Sequence, residues 1–188
     1  MKTVRLPSPV QTGGRPFLDL LRERHSSRGF SDRPIELQTL SDMLWASWGY
    51  NREMKRTAPS SHNRQEIELY LAMADGVYLW NAVQNVLIQI DGRDLRKNTG
   101  MQDFVGTAPV EIIYVAESSR ITGKDERGIL ETVFIDTGFI SENMYLFCTQ
   151  EGLITVVRAM VDRPALSAAL NLRPDQMITM VQSVGYHK

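Results

Sequence analysis

Val110-Glu111-Ile112-Ile113-Tyr114-Val115-Ala116 is the stretch on which the reading of the fold turns. All but Glu111 are apolar, and Val110, Ile112, Ile113 and Val115 are β-branched. A strand with one wet face would alternate polar and apolar residues, so this run predicts a strand covered on both faces, at the centre of a sheet. Working outward, residues 68–74 read as a neighbouring strand. Residues 76–80 and 86–90 flank Asn81-Ala82-Val83-Gln84-Asn85 as a hairpin. Residues 91–106 are polar and irregular, with some helical character. Downstream, residues 153–157 and 177–184 read as two further strands.

Helical spacing fills the gaps. Residues 16–24 carry Phe17, Leu18, Leu20 and Leu21 on one face. After Pro34, Leu37, Leu40, Met43, Leu44 and Trp45 recur at helical intervals up to Gly49. The longest pattern covers residues 136–152, with Phe139, Ile140, Met144, Phe147 and Cys148 as its stripe. Asp136 or Thr137 is suited to cap its start, and Gly152 to take the left-handed turn at its end. Residues 162–170 give one more helix. Strands and helices mix without strict βαβ alternation, which predicts an α+β fold with a mainly antiparallel sheet. Residues 1–16, with Pro7, Pro9, Gly13, Gly14 and Pro16, read as an extended arm, and residues 17–188 as a single domain.

Bulk properties exclude several classes. The 188 residues are 43% hydrophobic, enough for one domain with a substantial core. Basic and acidic residues nearly balance, 21 against 22, which argues against nucleic acid as the main partner. No apolar run is long enough to span a membrane. The first residues lack the apolar segment of a secretory leader, so cytoplasm is the default, although the Pro/Gly-rich start would also suit a mature exported chain. Cys148, the single cysteine, reads as core, and His25, His62 and His187 lack metal-ligand spacing. No nucleophile elbow, phosphate loop or dinucleotide-fold glycine motif occurs. Trp45, Trp48, Trp80, Tyr70 and Tyr78 read as core or interface packing.

Two polar clusters stand out. Arg24-His25-Ser26-Ser27-Arg28-Gly29-Phe30 gathers two guanidiniums, an imidazole and two hydroxyls ahead of an aromatic anchor. Such a set offers bidentate donors for a phosphate and short donors for a sugar or ring carbonyl. A solvated helix end, with its cations on the last carbonyls, is the plainer account of the same residues. Thr57-Ala58-Pro59-Ser60-Ser61-His62-Asn63 is the second cluster, read either as an ordinary capped turn or as a ligand-lining loop.

At these residues the sequence resembles the FMN-dependent nitroreductase family, and its compact, short members in particular. The resemblance rests on an ordered series: Arg24-His25-Ser26-x-Arg28-x-Phe30, Leu44-Trp45-Ala46, Arg56-Thr57-Ala58-Pro59-Ser60-Ser61 with Asn63, and Gln102-Asp103-Phe104 before Ala108-Pro109. It continues with Asp136-Thr137-Gly138 leading to Asn143, then Gly152-Leu153 and Val184-Gly185-Tyr186.

The resemblance implies an intertwined homodimer with FMN in two clefts between the subunits. It implies that Arg24 and Ser26 grip the phosphate and ribityl chain beside His25, and that Arg28 approaches the ring near N1 and O2. Pro59, Ser60, Ser61 and Asn63 would come from the other subunit and close over the flavin. Gln102 would bond the ring edge, backbone near Arg158 and Ala159 would face N5, and Lys188 would return to the phosphate. The implied activity is hydride transfer from NAD(P)H through FMN to a small organic acceptor such as a nitroaromatic or quinone, with no obligatory side-chain acid or base and no metal. Two other readings stay open: an FMN-dependent dehydrogenase or oxidase passing electrons to oxygen, and a flavin-binding module without turnover.

Overall fold

The computed structural model of the chain describes residues 2–188. In chain order the strands are β1 (Thr3–Arg5), β2 (Tyr50–Arg52), β3 (Lys55–Arg56), β4 (Ile67–Met73), β5 (Gly76–Asn81), β6 (Val86–Asp91), β7 (Val110–Glu117), β8 (Ile154–Arg158) and β9 (Gln176–Gly185). The helices are α1 (Phe17–Glu23), α2 (Leu37–Trp48), α3 (Glu126–Glu151) and α4 (Arg163–Ala169). Seven strands form one sheet in the order β1-β6-β5-β4-β7-β9-β8, every pairing antiparallel, while β2 and β3 make a separate ribbon.

The strand expected at the centre lies between β4 and β9, and all eight of its residues are buried. Alternation then sorts the flanking core into two layers. Ile67, Leu69 and Leu71 of β4 with Ile112, Tyr114 and Ala116 of β7 face α2 and α3, against Leu40, Met43, Leu44, Trp48, Ile140 and Met144. Tyr70, Ala72, Ile113 and Val115 point to the opposite face and meet Leu166 and Leu170 around α4. Each fully buried aliphatic side chain contributes about 1.5–3 kcal/mol over its exposed state, so the covered β7 run is a principal stabilising feature. Among the described residues, no helix is long and apolar enough to cross a membrane.

Three features depart from the sequence reading. The long helix starts ten residues earlier than expected, at Glu126, capped by Asp125, whose carboxylate accepts the Gly128 amide at 2.8 Å. Asp136 therefore caps nothing on its own helix. It sits buried in the middle, and its Oδ2 accepts the Ser61 amide at 2.8 Å. The apolar stripe runs through Val133, Ile140, Met144 and Cys148, with Phe139 left exposed. In α1, no residue is buried, and Phe17, Leu18 and Leu21 face solvent. The extended segment 2–16 is tied down along its length: β1 pairs with β6, Leu6 enters the core, and the Pro7 carbonyl accepts from Ser41 Oγ at 2.6 Å and from Asn85 Nδ2 at 2.8 Å.

The far end of the sheet is locked by a buried ion pair. Arg158 at the end of β8 and Glu111 on β7 meet at 2.5 Å with almost no exposure. Ser183 of β9 donates to both Glu111 carboxylate oxygens at 2.9 Å, and Arg158 also donates to the Thr99 carbonyl at 3.0 Å. Burial pushes the Glu111 carboxyl above its usual range, while Arg158 and Ser183 oppose that shift. Removing one member of such a pair leaves the other charged and unpaired. Arg158→Ala should cost about 3–5 kcal/mol in urea unfolding, and an Arg158→Met/Glu111→Gln double variant should recover much of that loss. A loss below about 1 kcal/mol, typical of an exposed pair, would contradict a locking role.

Candidate functional site

Phe30 is the anchor from which the first cluster is built. It is buried against Ala108, Val156, Phe104 and Ile154, with the Phe104 ring centroid 5.9 Å away. Through that contact the loop carrying Gln102 is brought beside the segment carrying Arg24 to Arg28. Backbone bonds continue the assembly: Ser27 N–H donates to the Thr155 carbonyl of β8, and Lys188 N–H to the Gly29 carbonyl, both at 3.0 Å. An isolated bridge between Phe30 and His187 completes the C-terminal contact.

Tyr145 of α3 supplies a junction that the sequence did not flag. Its hydroxyl accepts the Val157 amide at 2.9 Å and shares a hydrogen bond with Ser26 Oγ at 2.8 Å. The Arg24 guanidinium lies 5.1 Å from the same ring, a cation–π distance. One aromatic side chain thus positions Arg24, Ser26 and the end of β8. His25 is exposed, its Nδ1 against the Glu23 carbonyl at 2.8 Å. Ala159, just past β8, is exposed, whereas the Arg158 side chain points inward to Glu111. Arg24, Ser26, Arg28, Gln102, Ala159 and Lys188 therefore converge on one end of the molecule.

Among the described residues, no ion pair engages Arg24, Arg28 or Lys188, a trait they share with Arg5, Arg33, Arg52, Arg56, Arg64 and Arg163. Glu23, next to Arg24, is taken up by Arg15 and Arg22. Uncompensated guanidiniums beside a serine hydroxyl suit a phosphate.

Pro59, Ser60, Ser61 and Asn63 lie elsewhere, against the middle of α3 rather than its end. Asp136, which holds the Ser61 amide, precedes Tyr145 by nine residues, about 13 Å along a helix rising 1.5 Å per residue. Ser60 does not cap the short turn that follows; its hydroxyl accepts the Gln65 amide at 3.0 Å. His62, Asn63 and Gln65 adopt left-handed backbone, with φ of 53°, 55° and 53°. Non-glycine residues in that region are strained and persist where their surroundings over-determine them. Buried Gln65 does so here, donating to the Met54 carbonyl at 2.9 Å and accepting from Arg56 Nε at 3.0 Å. A groove of about 700 Å³ lies between residues 10–15, α1, α2 and the C-terminal half of α3, with Thr57 at its edge. The Thr57 hydroxyl is buried without a partner. The two polar clusters are therefore separate within one chain.

Sequence reasoning missed Tyr145, Gln65, Glu66 and the inward role of Asp136. Glu66 alone left a signal, a charged residue at the head of an apolar strand pattern. Cys148 is core, as read; burial pushes its thiol well above its usual value and leaves it unreactive.

Comparison with known proteins places the fold. The nitroreductase family model matches residues 21–186. A crystal structure of a candidate nitroreductase from Ralstonia eutropha JMP134 superposes with a TM-score of 0.94 at 34% identity, over 100% of this chain and 90% of that one. A candidate nitroreductase of Methanocaldococcus jannaschii is 30% identical over 150 residues, 73% of this chain and 75% of the relative. The nitrobenzene nitroreductase of Ectopseudomonas oleovorans is 25% identical over 214 residues, covering 91% of this chain and 87% of its own length. With a family match over most of its length and a fold that superposes on a candidate nitroreductase throughout, the chain belongs to the nitroreductase family.

Proposed function

We propose that this oxidoreductase binds FMN between two copies of the chain and passes a hydride from NAD(P)H to a small organic acceptor. The observation that carries the reading is the Arg24 guanidinium held over the Tyr145 ring whose hydroxyl also bonds Ser26, with the Lys188 backbone bonded to Gly29 in the same segment. That donor set fits a phosphorylated, electron-accepting cofactor. Bound FMN would supply reversible two-electron chemistry that no side chain here provides.

The chain's own residues divide the remaining work. Arg24 and Ser26, oriented by Tyr145, hold the phosphate and sugar chain, with His25 alongside and Lys188 closing from the C-terminal side. Arg28 presents a full positive charge to the pyrimidine edge of the ring, where negative charge gathers on reduction. Gln102, carried by the Phe104-anchored loop, bonds the ring edge, and backbone at Arg158 and Ala159 approaches from the end of β8.

Pro59, Ser60, Ser61 and Asn63 are about 13 Å along α3 from the first half-site, so a second copy is needed to bring them over the same ring. Exposed apolar residues support such a pairing: Phe17, Leu18 and Leu21 on α1, with Phe134, Ile135 and Phe139 on α3. The relative named as a nitrobenzene nitroreductase makes a nitroaromatic, or a quinone of similar size, the acceptor class for assay.

Purified protein should be yellow, and NAD(P)H should bleach it anaerobically, with an added quinone or nitroarene restoring the colour. Protein that stays colourless after incubation with FMN would refute the proposal. Arg24→Ala should weaken FMN binding about 10- to 100-fold, the equivalent of one charge-assisted hydrogen bond, in a flavin-fluorescence titration. Arg28→Ala should retain FMN but shift its reduction potential to a more negative value, read by dye equilibration. Phe139→Asp should shift the protein from dimer to monomer in sedimentation and lose FMN with it.

A further inference from the structure

Glu66 immediately precedes β4 at a position with no solvent exposure, and among the described residues neither of its carboxyl oxygens has a hydrogen-bond donor. Its backbone is fixed, the carbonyl accepting the Glu117 amide at 2.8 Å. The neighbouring carboxyl is that of Asp136, in the middle of α3, with 3% exposure. Asp136 already accepts the Ser61 amide. A second charge beside it in a dry site is unfavourable. Arg64 favours an ionised Glu66, but burial without a side-chain donor outweighs it, and Glu66 keeps its proton.

The other charged groups nearby do not alter that assignment. Arg64 spends its donors on the Ser61 carbonyl, the Ser61 hydroxyl and the Thr122 carbonyl. Arg120 reaches the Gln65 carbonyl at 2.8 Å and pairs with Glu117. From α2, the Trp48 indole donates to the Ile67 carbonyl.

We propose that Glu66 is the proton-bearing positioning residue of loop 59–63: its O–H donates to Asp136, and Asp136 in turn holds the Ser61 amide, so the loop keeps its shape while Glu66 stays protonated. The consequence for the flavin rests on the cofactor reading above. Burial, and then Asp136, push the Glu66 carboxyl up to about 7. Because the folded-state value is raised, the stabilisation is complete below the unfolded carboxylate value and is lost as pH rises through neutrality. Ionised Glu66 would repel Asp136, loosen the Ser61 tether and free the strained backbone at His62 and Asn63.

The test uses the whole protein without flavin, following the Ser61 backbone amide by NMR across neutral pH. Wild type should show a transition in Ser61 shift and hydrogen exchange. Glu66→Gln, whose amide donates to Asp136 at every pH, should be flat and resemble the low-pH wild type. In Asp136→Asn the transition should move to lower pH, because no neighbouring charge holds the Glu66 proton, and this variant decides the matter if Glu66→Gln fails to fold. A wild-type protein without a Ser61 transition, a Glu66→Gln profile that matches wild type, or an unmoved transition in Asp136→Asn would each overturn the proposal. With FMN present, the wild-type dissociation constant should rise at least about fivefold across the transition and stay constant in Glu66→Gln. Protein that never binds FMN would refute the cofactor reading, while the Ser61 measurement would still decide the role of Glu66.

Discussion

The buried pair of Glu111 and Arg158 is the constraint on which the rest of the functional end depends. Glu111 breaks an otherwise apolar central strand, and a carboxylate there is tolerable only with a cation and hydroxyl donors around it. The cation comes from the last residue of β8 and the hydroxyl from β9, so three strand ends are brought to one point. Arg158 then extends to the Thr99 carbonyl and lies 5.7 Å from the Phe104 ring, which holds the loop bearing Gln102. Turning this arginine inward also leaves the backbone after it, at Ala159, free to face outward.

A second tier of order is added by Tyr145 and Phe30. Phe30 closes an apolar cluster over the β8 end, and Tyr145 links Ser26 to the Val157 amide. Neither residue carries charge, yet between them they position Arg24 and the backbone that bears Arg28. The same helix presents Asp136 to the other polar cluster nine residues earlier. Helix α3 therefore sets the spacing between the two polar clusters.

The fold was largely legible because its signals are local. The β7 run, the hairpin at residues 76–91, and the ends of α2 and α3 at Gly49 and Gly152 each depend on composition over a few residues. The start of α3 was not legible. Asp136-Thr137-Gly138 looks like a helix opening, and Ile129, Thr132, Val133 and Ile135 weaken the helical pattern ahead of it; packing against the sheet overrides that propensity. Of the candidate site, the residue types and their chain order could be read, and the structure gathers Arg24, Ser26, Arg28, Gln102, Ala159 and Lys188 at one end. The supporting residues could not be read, because Tyr145, Gln65 and Glu66 act through partners that are distant in sequence or meet only across loops.

What the sequence by itself determined was an α+β domain with an antiparallel sheet, a double-covered central strand, and membership of a family recognisable from ordered motifs. These follow from periodicity, turn chemistry and residue type, all of which act over short stretches of chain. Only the tertiary structure decided that Asp136 serves a loop rather than its own helix, that Arg158 faces inward, and that Glu66 is buried against another carboxyl. It also decided that the two polar clusters stand apart. Burial and hydrogen-bond partnership are properties of three-dimensional neighbourhoods, and residues as far apart as Ser61 and Asp136 meet only after the core has formed.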